Sequence, residues 1–228
     1  MVNVTEQKQD QPTNKKRVLI VDDHPILRKG LSMMINQEAD LAVCGEAEDA
    51  HKAMELIDRV KPDLVIVDIS LPGVDGVELL KNIKARFGDL PALVVSMHDE
   101  SLFAERALRA GARGYIMKQE ALDDVLTAIR RVLHGEIFVS SRITTKMLEK
   151  LVETDVRKAN SPLELLSDRE LTVLRLIGQG LGTRQIADDL HLSVKTIESY
   201  RMHLKEKLKL TSGTDLLKYA IQWVQNNP

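Results

Sequence analysis

Between Arg17 and about His134 the chain alternates short apolar runs with longer segments of helical spacing. The runs are Val18-Leu19-Ile20-Val21, Leu41-Ala42-Val43-Cys44, Leu64-Val65-Ile66-Val67, Ala92-Leu93-Val94-Val95 and Tyr115-Ile116-Met117. They are rich in β-branched residues and continuous rather than alternating, the pattern of strands covered on both faces. Gly76 to Ile83 and Leu122 to Leu133 carry the three-and-four spacing of amphipathic helices. Pro25 suits the first turn of a helix after the first strand, and Gly135 suits the stop of the last helix. Five βα repeats predict a doubly wound, five-stranded parallel sheet with helices on both faces.

From Ser167 the strand signals vanish. Ser167-Asp168-Arg169-Glu170 reads as a capping box, and Leu171, Leu174 and Ile177 then form an apolar stripe that Gly178-Gln179-Gly180 ends. A short helix from Thr183 to Leu190, a tight turn at His191-Leu192 and a longer helix from Ser193 to about Lys209 predict a helix-turn-helix. A last helix, Thr214 to Val224, carries Leu217, Ala220, Ile221 and Val224 on one face. The chain thus divides into a polar tail (1–15), an α/β domain (16–137), a polar linker (138–162) and a small all-α domain (163–228). The linker is partly helical over Lys146 to Val152.

Composition narrows the function classes. No apolar run approaches the ~18–20 residues of a membrane span, and the polar N-terminus lacks the apolar core of a secretory signal. Cys44 is the one cysteine, which excludes an internal disulfide and a cysteine-rich zinc site. These features point to the cytoplasm. With 3% aromatic residues, a base-stacking RNA surface is not expected. The net charge of −2 conceals a mild asymmetry, with nine basic and seven acidic residues from Leu166 onward. That balance permits nucleic-acid binding by the C-terminal domain without establishing it.

In a doubly wound sheet, ligands bind beyond the carboxyl ends of the strands. The polar residues there are Asp22 and Asp23, Asp68, Ser96 and Lys118. Any one of these aspartates can be explained as a cap on the following helix. Together they suggest chemistry, because carboxylates crowded at one edge repel one another and a hard divalent ion such as Mg2+ relieves the cost. Lysine can pair with a phosphoryl oxygen, and aspartate can serve as a phosphoryl-transfer nucleophile.

VLIVDDHPILRKGL, LVIVDISLPGVDGVELL and GYIMK resemble the receiver domain of two-component response regulators over about Arg17 to Leu133. The resemblance implies a flavodoxin-like receiver fold with Asp68 as phosphoacceptor. It implies Mg2+ held by Asp22, Asp23, Asp68 and the backbone carbonyl of Ser70, with Asp23 the direct acidic ligand. It assigns Lys118 to phosphoryl contact, and Ser96 and Tyr115 to the switch. Gln119 departs from the proline common after the lysine.

Ile197, Tyr200, Leu204 and Leu208 form one stripe of the longer C-terminal helix, opposite Lys195, Glu198, Ser199, Met202 and Lys205. A polar stripe of this kind suits a major groove, although an ordinary solvated face looks the same. The segment from about Leu166 to Val224 resembles the LuxR-type helix-turn-helix of NarL/FixJ-type response regulators. That resemblance implies DNA contact by Lys195, Glu198, Ser199 and Met202, with Arg201, Lys205 and Lys209 as phosphate partners. Glu198 replaces a basic residue common there, which bears on base preference because a carboxylate accepts from cytosine N4 and not from guanine. Leu217, Ile221 and Val224 are either a dimerisation face or ordinary core.

The expected function is therefore a response regulator and not an enzyme. A histidine kinase would phosphorylate it, and it would bind double-stranded DNA as a homodimer when phosphorylated, without a membrane partner. Two rival classes share parts of the pattern. One is a magnesium-dependent aspartyl-phosphate phosphohydrolase. The other is an interaction module whose helix-turn-helix no longer binds DNA.

Overall fold

In the structure, a computed structural model that describes residues 15–120, 122–152 and 162–226, five parallel strands form one sheet in the order β2-β1-β3-β4-β5. They are β1 (Lys16–Val21), β2 (Leu41–Ala47), β3 (Leu64–Val67), β4 (Ala92–Ser96) and β5 (Gly114–Met117). The helices between and after them are α1 (Pro25–Gln37), α2 (Ala50–Val60), α3 (Gly76–Phe87), α4 (Glu100–Ala110) and α5 (Leu122–Leu133). The strand order reverses between β1 and β3, which is where such sheets open a crevice. Val21 pairs with Val67 in register, so the next residues, Asp22 and Asp68, emerge side by side. The Asp68 N–H donates to the Val21 carbonyl at 2.9 Å and fixes that juxtaposition.

The continuous apolar runs are explained by two cores. Val18, Ile20, Leu64, Ile66, Leu93 and Val95 face α1 and α5. Leu19, Val21, Val65, Val67 and Val94 face α2, α3 and α4. Residues Val18 to Val21 have no exposed surface at all. Burial of each such side chain contributes roughly 1.5–3 kcal/mol, which leaves little freedom for the strands to slip.

The linker is more ordered at its start than its polar sequence suggests. Phe138 bridges to Gly114 at the edge of β5, with Tyr115 N–H donating to the Phe138 carbonyl at 2.8 Å. A helix, α6 (Ser141–Val152), begins before the expected Lys146. Ser140 explains the earlier start. Its hydroxyl accepts from Ile143 N–H at 3.2 Å and donates to Glu100 on α4 at 2.7 Å, and Ile143 is buried. The rest of the linker (153–161) and all of the expected tail but Lys15 lie outside the described residues.

After a 3-10 turn at Pro162–Leu165 come α7 (Asp168–Gly178), α8 (Thr183–Asp189), α9 (Val194–Lys207) and α10 (Gly213–Asn226). Ser167 and Glu170 make the expected capping box on α7. Leu171, Leu174, Ile177, Ile186, Ile197 and Leu204 form a core continuous with that of the α3–α4 side of the sheet. The apolar face of α10 is set differently from the expectation. Leu216, Ala220 and Trp223 point inward, while Leu217 and Ile221 are 40% and 36% exposed. Val224 is half-buried. Positions spaced four and three residues apart point inward, turning the buried stripe away from Leu217 and Ile221. Leu217 and Ile221 are therefore not intradomain core.

Gly76 opens α3 where the chain doubles back on the end of β3. Its N–H donates to the Ile69 carbonyl at 2.9 Å, and a Cβ there would lie 2.0 Å from the Asp68 carbonyl oxygen. Gly76→Ala is expected to destabilise the protein by about 1–3 kcal/mol, because backbone rather than a pliable side chain must move. The urea midpoint measures this; an unchanged midpoint would show that the β3–α3 loop relaxes freely.

Candidate functional site

The crevice beyond β1 and β3 gathers the expected acids. Asp22 and Asp68 are each 2% exposed. Lys118, at the end of β5, places its Nζ 2.7 Å from Asp22 Oδ2 and 2.8 Å from Asp68 Oδ2. Burial, then the neighbouring Asp68 charge, hold the Asp22 carboxyl above its ordinary range. Burial alone would lower Lys118, but the Asp68 and Asp22 carboxylates outweigh it and keep the ammonium charged. Asp68 Oδ1 is buried with no hydrogen-bond partner. A buried anion with an unsatisfied oxygen is costly unless a cation completes it.

Asp22, Asp23, His24 and Asp68 each offer a ligand atom, and these atoms lie within 4.8 Å of one another. Against three carboxylates stands one ammonium, an excess of two negative charges that matches a divalent ion. His24 N–H donates to Asp22 Oδ1 at 2.8 Å, which holds the loop after β1 around the site. Ser70 lies in the same crevice, with its hydroxyl 2.7 Å from His98 Nε2.

Ser96 and Tyr115 stand beside this crevice, both almost fully buried. The Tyr115 hydroxyl donates to the His98 carbonyl at 2.8 Å, and burial raises its pKa above the ordinary phenol value. His98 N–H approaches Ser96 Oγ at 3.4 Å. The loop between β4 and α4 is thus held at two points by the pair expected to switch. His98 itself is half-buried and packs on Phe103, with ring centroids 4.7 Å apart. Desolvation brings its pKa down to about 4, so the ring is neutral near pH 7.

The helix-turn-helix sits on this crevice. A cavity of 280 Å³ lies between Asp68, Ser70 and His98 on one side and Arg175, Gln179 and His191 on the other. His191, in the turn before α9, brings Nε2 to 3.8 Å from Asp23 Oδ2. Two arginines fasten the arrangement. Arg169, 6% exposed, donates to the Leu71 carbonyl at 2.7 Å. Arg106 on α4 donates to the Leu163 and Leu166 carbonyls, both at 2.9 Å, and to Asp168 at 2.8 Å.

On α9, Ile197 and Leu204 are fully buried. Lys195, Glu198, Ser199 and Met202 are exposed on the opposite stripe, with Arg201 and Lys205 half-buried beside it. Lys209 is exposed just past the end of the helix. Ser193 caps α9 through the Thr196 N–H at 3.0 Å. Glu170, buried at the start of α7, accepts from Lys207 at 2.6 Å and so ties the far end of α9 to the domain core.

All the expected crevice residues converge. Sequence reasoning missed His24, His98, Arg106, Arg169, Arg175 and His191. The strand-end rule could have suggested His24 and His98, each two residues beyond an expected site residue. The others become visible only once the two domains are seen in contact.

Comparison with known proteins agrees with both halves. Residues 18–130 match the response regulator receiver domain, and residues 164–220 match the bacterial regulatory proteins of the luxR family. The oxygen regulatory protein NreC of Staphylococcus haemolyticus is 36% identical, over 90% of this chain and 97% of its own. RcsB from Salmonella enterica serovar Typhimurium, solved bound to a promoter with the phosphomimetic BeF3−, is 30% identical. It aligns over 91% of this chain and 98% of its own, with a TM-score of 0.59. A structure of two RcsB dimers on two parallel DNAs is 31% identical over 90% of this chain and 98% of its own, with a TM-score of 0.55.

Glu170 yields a pH-dependent expectation. Burial alone would raise its pKa, but the Lys207 ammonium and the Ser167 N–H hold it below the usual 4.5. A carboxylate lowered in the folded state adds stability above its unfolded pKa and loses it as pH falls through the folded value. Glu170→Gln is expected to cost about 1.5–3 kcal/mol at neutral pH, the range for hydrogen bonds to charged groups. The deficit should narrow as the pH drops below 4.5. Urea unfolding of the full chain at neutral and acid pH measures both; an equal deficit at both would exclude the charged pair as its source.

Proposed function

The chain belongs to the response regulators that join a receiver domain to a LuxR-type DNA-binding domain, and we propose that Asp68 is its phosphoacceptor and α9 its recognition helix. The observation that carries this reading is the convergence of Asp22, Asp23, Asp68 and Lys118 at one sheet edge beneath the helix-turn-helix.

A histidine kinase is the donor. The phosphorus–nitrogen bond of its phosphohistidine breaks as a carboxylate oxygen of Asp68 bonds to phosphorus, and the leaving imidazole takes up a proton. Asp22, Asp23, Asp68 and the Ser70 carbonyl would hold Mg2+, which offsets the excess anionic charge when bound. Lys118 already bridges Asp22 and Asp68 and is placed to follow a phosphoryl oxygen. Ser96 and Tyr115 both touch the β4–α4 loop, so a shift of Ser96 toward the phosphoryl group moves the base of α4. That helix carries Arg106, one of the two interdomain fasteners, and packs on α6 through Ser140.

The domain arrangement in the structure is then the resting one. With His191 against Asp23, the turn that leads into α9 is seated on an acidic surface that would also repel DNA phosphates. Release of the domain would carry the stripe of Lys195, Glu198, Ser199, Arg201, Met202, Lys205 and Lys209, already solvent-facing, away from that acidic surface and onto one half-site. The exposed Leu217 and Ile221, with Val224 at their margin, are the surface for a second copy. Among the described residues no helix is long and apolar enough to cross a membrane.

Two measurements test this. With a small phosphodonor, Mg2+ and borohydride trapping, label is expected on Asp68 alone, and Asp68→Asn should take none; label elsewhere in the wild type would overturn the assignment. Turnover of many phosphate esters per chain would favour a phosphohydrolase instead. For the resting arrangement, Arg106→Ala removes three interdomain hydrogen bonds without touching the DNA-binding domain. It should raise the DNA affinity of unphosphorylated protein by roughly 5–30-fold, as a shift of about 1–2 kcal/mol in the closed–open balance implies. Unchanged affinity would mean that closure does not limit DNA binding.

A further inference from the structure

The crevice contains more than the oxygen donors that Mg2+ needs. His24 Nδ1 lies 2.6 Å from Asp23 Oδ1 and 3.2 Å from Asp22 Oδ1, and belongs to the group of ligand atoms gathered within 4.8 Å. His191 Nε2 approaches Asp23 Oδ2 from the other domain. The two imidazoles are 63% and 64% exposed, so neither ring is locked into a core that would prevent it from turning onto an ion. Asp68 Oδ1, from a residue 2% exposed, has no partner.

We propose that, with the domains closed, this crevice is a nitrogen–oxygen site for a first-row transition-metal ion of the Zn2+ class, which fastens the helix-turn-helix to the receiver. The donors are His24 Nδ1, His191 Nε2 and the carboxylates of Asp23 and Asp68. Two imidazoles with two carboxylates make a four-donor set of the kind Zn2+ accepts. Mg2+ prefers oxygen and retains its waters, whereas imidazole selects for the later first-row metals. Asp22 stays outside this set. Its Oδ2 is held by Lys118, and its Oδ1 accepts the His24 N–H, which positions His24.

The consequence is a metal-dependent brake. Three donors come from the receiver and one from the turn before α9, so the ion binds the closed form more tightly than the open one and shifts the population toward it. It also occupies the crevice assigned above to Mg2+. The inference rests on that reading only for this competition; Zn2+ binding by the unphosphorylated chain does not require that Asp68 be the phosphoacceptor.

The test uses the full chain with Zn2+ alone in calorimetry and Co2+ as an optical substitute. One site per chain is expected, with visible d–d bands on cobalt binding. His191→Asn suits the left-handed backbone at that position (φ 52°). His24→Asn keeps a good helix cap before α1. Each should weaken Zn2+ by at least about tenfold, the lower end of the range for groups that merely support a metal ligand. His191→Asn should still take up label on Asp68 with Mg2+. Zn2+ should lower DNA affinity in the wild type and have no such effect in His191→Asn. Unchanged Zn2+ affinity in His191→Asn would overturn the bridge between domains, and absence of Zn2+ binding would overturn the site. Loss of Mg2+-dependent labelling at Asp68 in the wild type with zinc binding intact would instead overturn the phosphoacceptor reading and leave this one standing.

Discussion

The organising constraint is the crowding of negative charge at the carboxyl edge of the sheet. Asp22 and Asp68 are brought together by register, since the strands before them are locked by apolar contacts on both faces. Neither carboxylate can retreat into water without breaking that packing. Lys118 is the main local compensation, and it is itself buried, with 4% of its side chain exposed. The charge balance at this edge is therefore incomplete by construction. Such a site responds strongly to whatever cation or phosphoryl group enters it, because low local dielectric magnifies each charge.

The rest of the molecule is arranged around this edge. The β4–α4 loop is held by Ser96 and Tyr115, α4 begins from that loop, and Arg106 on α4 grips the first turns of the C-terminal domain. Arg169 reaches back to the Leu71 carbonyl, in the loop that follows Asp68. One fastener thus ends on the loop after the phosphoacceptor candidate, and the other stands on the helix that begins from the β4–α4 loop. A change of charge at Asp68 has a short mechanical route to the interface. His98 sits at the centre of that route, neutral and half-buried, with its carbonyl on Tyr115 and its ring beside Ser70.

The α/β half was legible because its strands are covered on both faces, which writes each as an unbroken apolar run. Its acids were legible because strand ends are where doubly wound sheets bind ligands. The cap on α7 was equally plain from Ser167 and Glu170. Less legible was α10, where Leu217 and Leu216 are adjacent and a shift of one position exchanges the buried and exposed faces. The early start of α6 was hidden by its polar first turn, which is stabilised by Glu100 on another element. The interface was not legible at all. Arg169 reads as one more charge in a helix first turn, yet it is buried on a carbonyl 98 residues away in sequence. Local pattern carries no trace of such a partner.

Closure has a thermodynamic consequence that applies to every ligand of the protein. The crevice and the turn before α9 cover each other, so a partner that needs either one draws on the same closed–open equilibrium. If DNA takes the open form alone, a modification of Asp68 that favours opening strengthens DNA binding by at most the factor by which it shifts the closed–open balance. The size of that coupling cannot exceed the free energy of closure itself. In the structure that free energy rests on a small set of polar contacts from Arg106, Arg169 and His191, together with the apolar cluster shared between α7 and the α3–α4 face. The polar contacts end on backbone carbonyls and on the carboxylates of Asp168 and Asp23, whose side chains are 14% and 15% exposed. On the proposed reading, a phosphoryl group at Asp68 would act on these few contacts through the β3–α3 and β4–α4 loops, while the packing of the sheet and that of α7 to α10 stay intact.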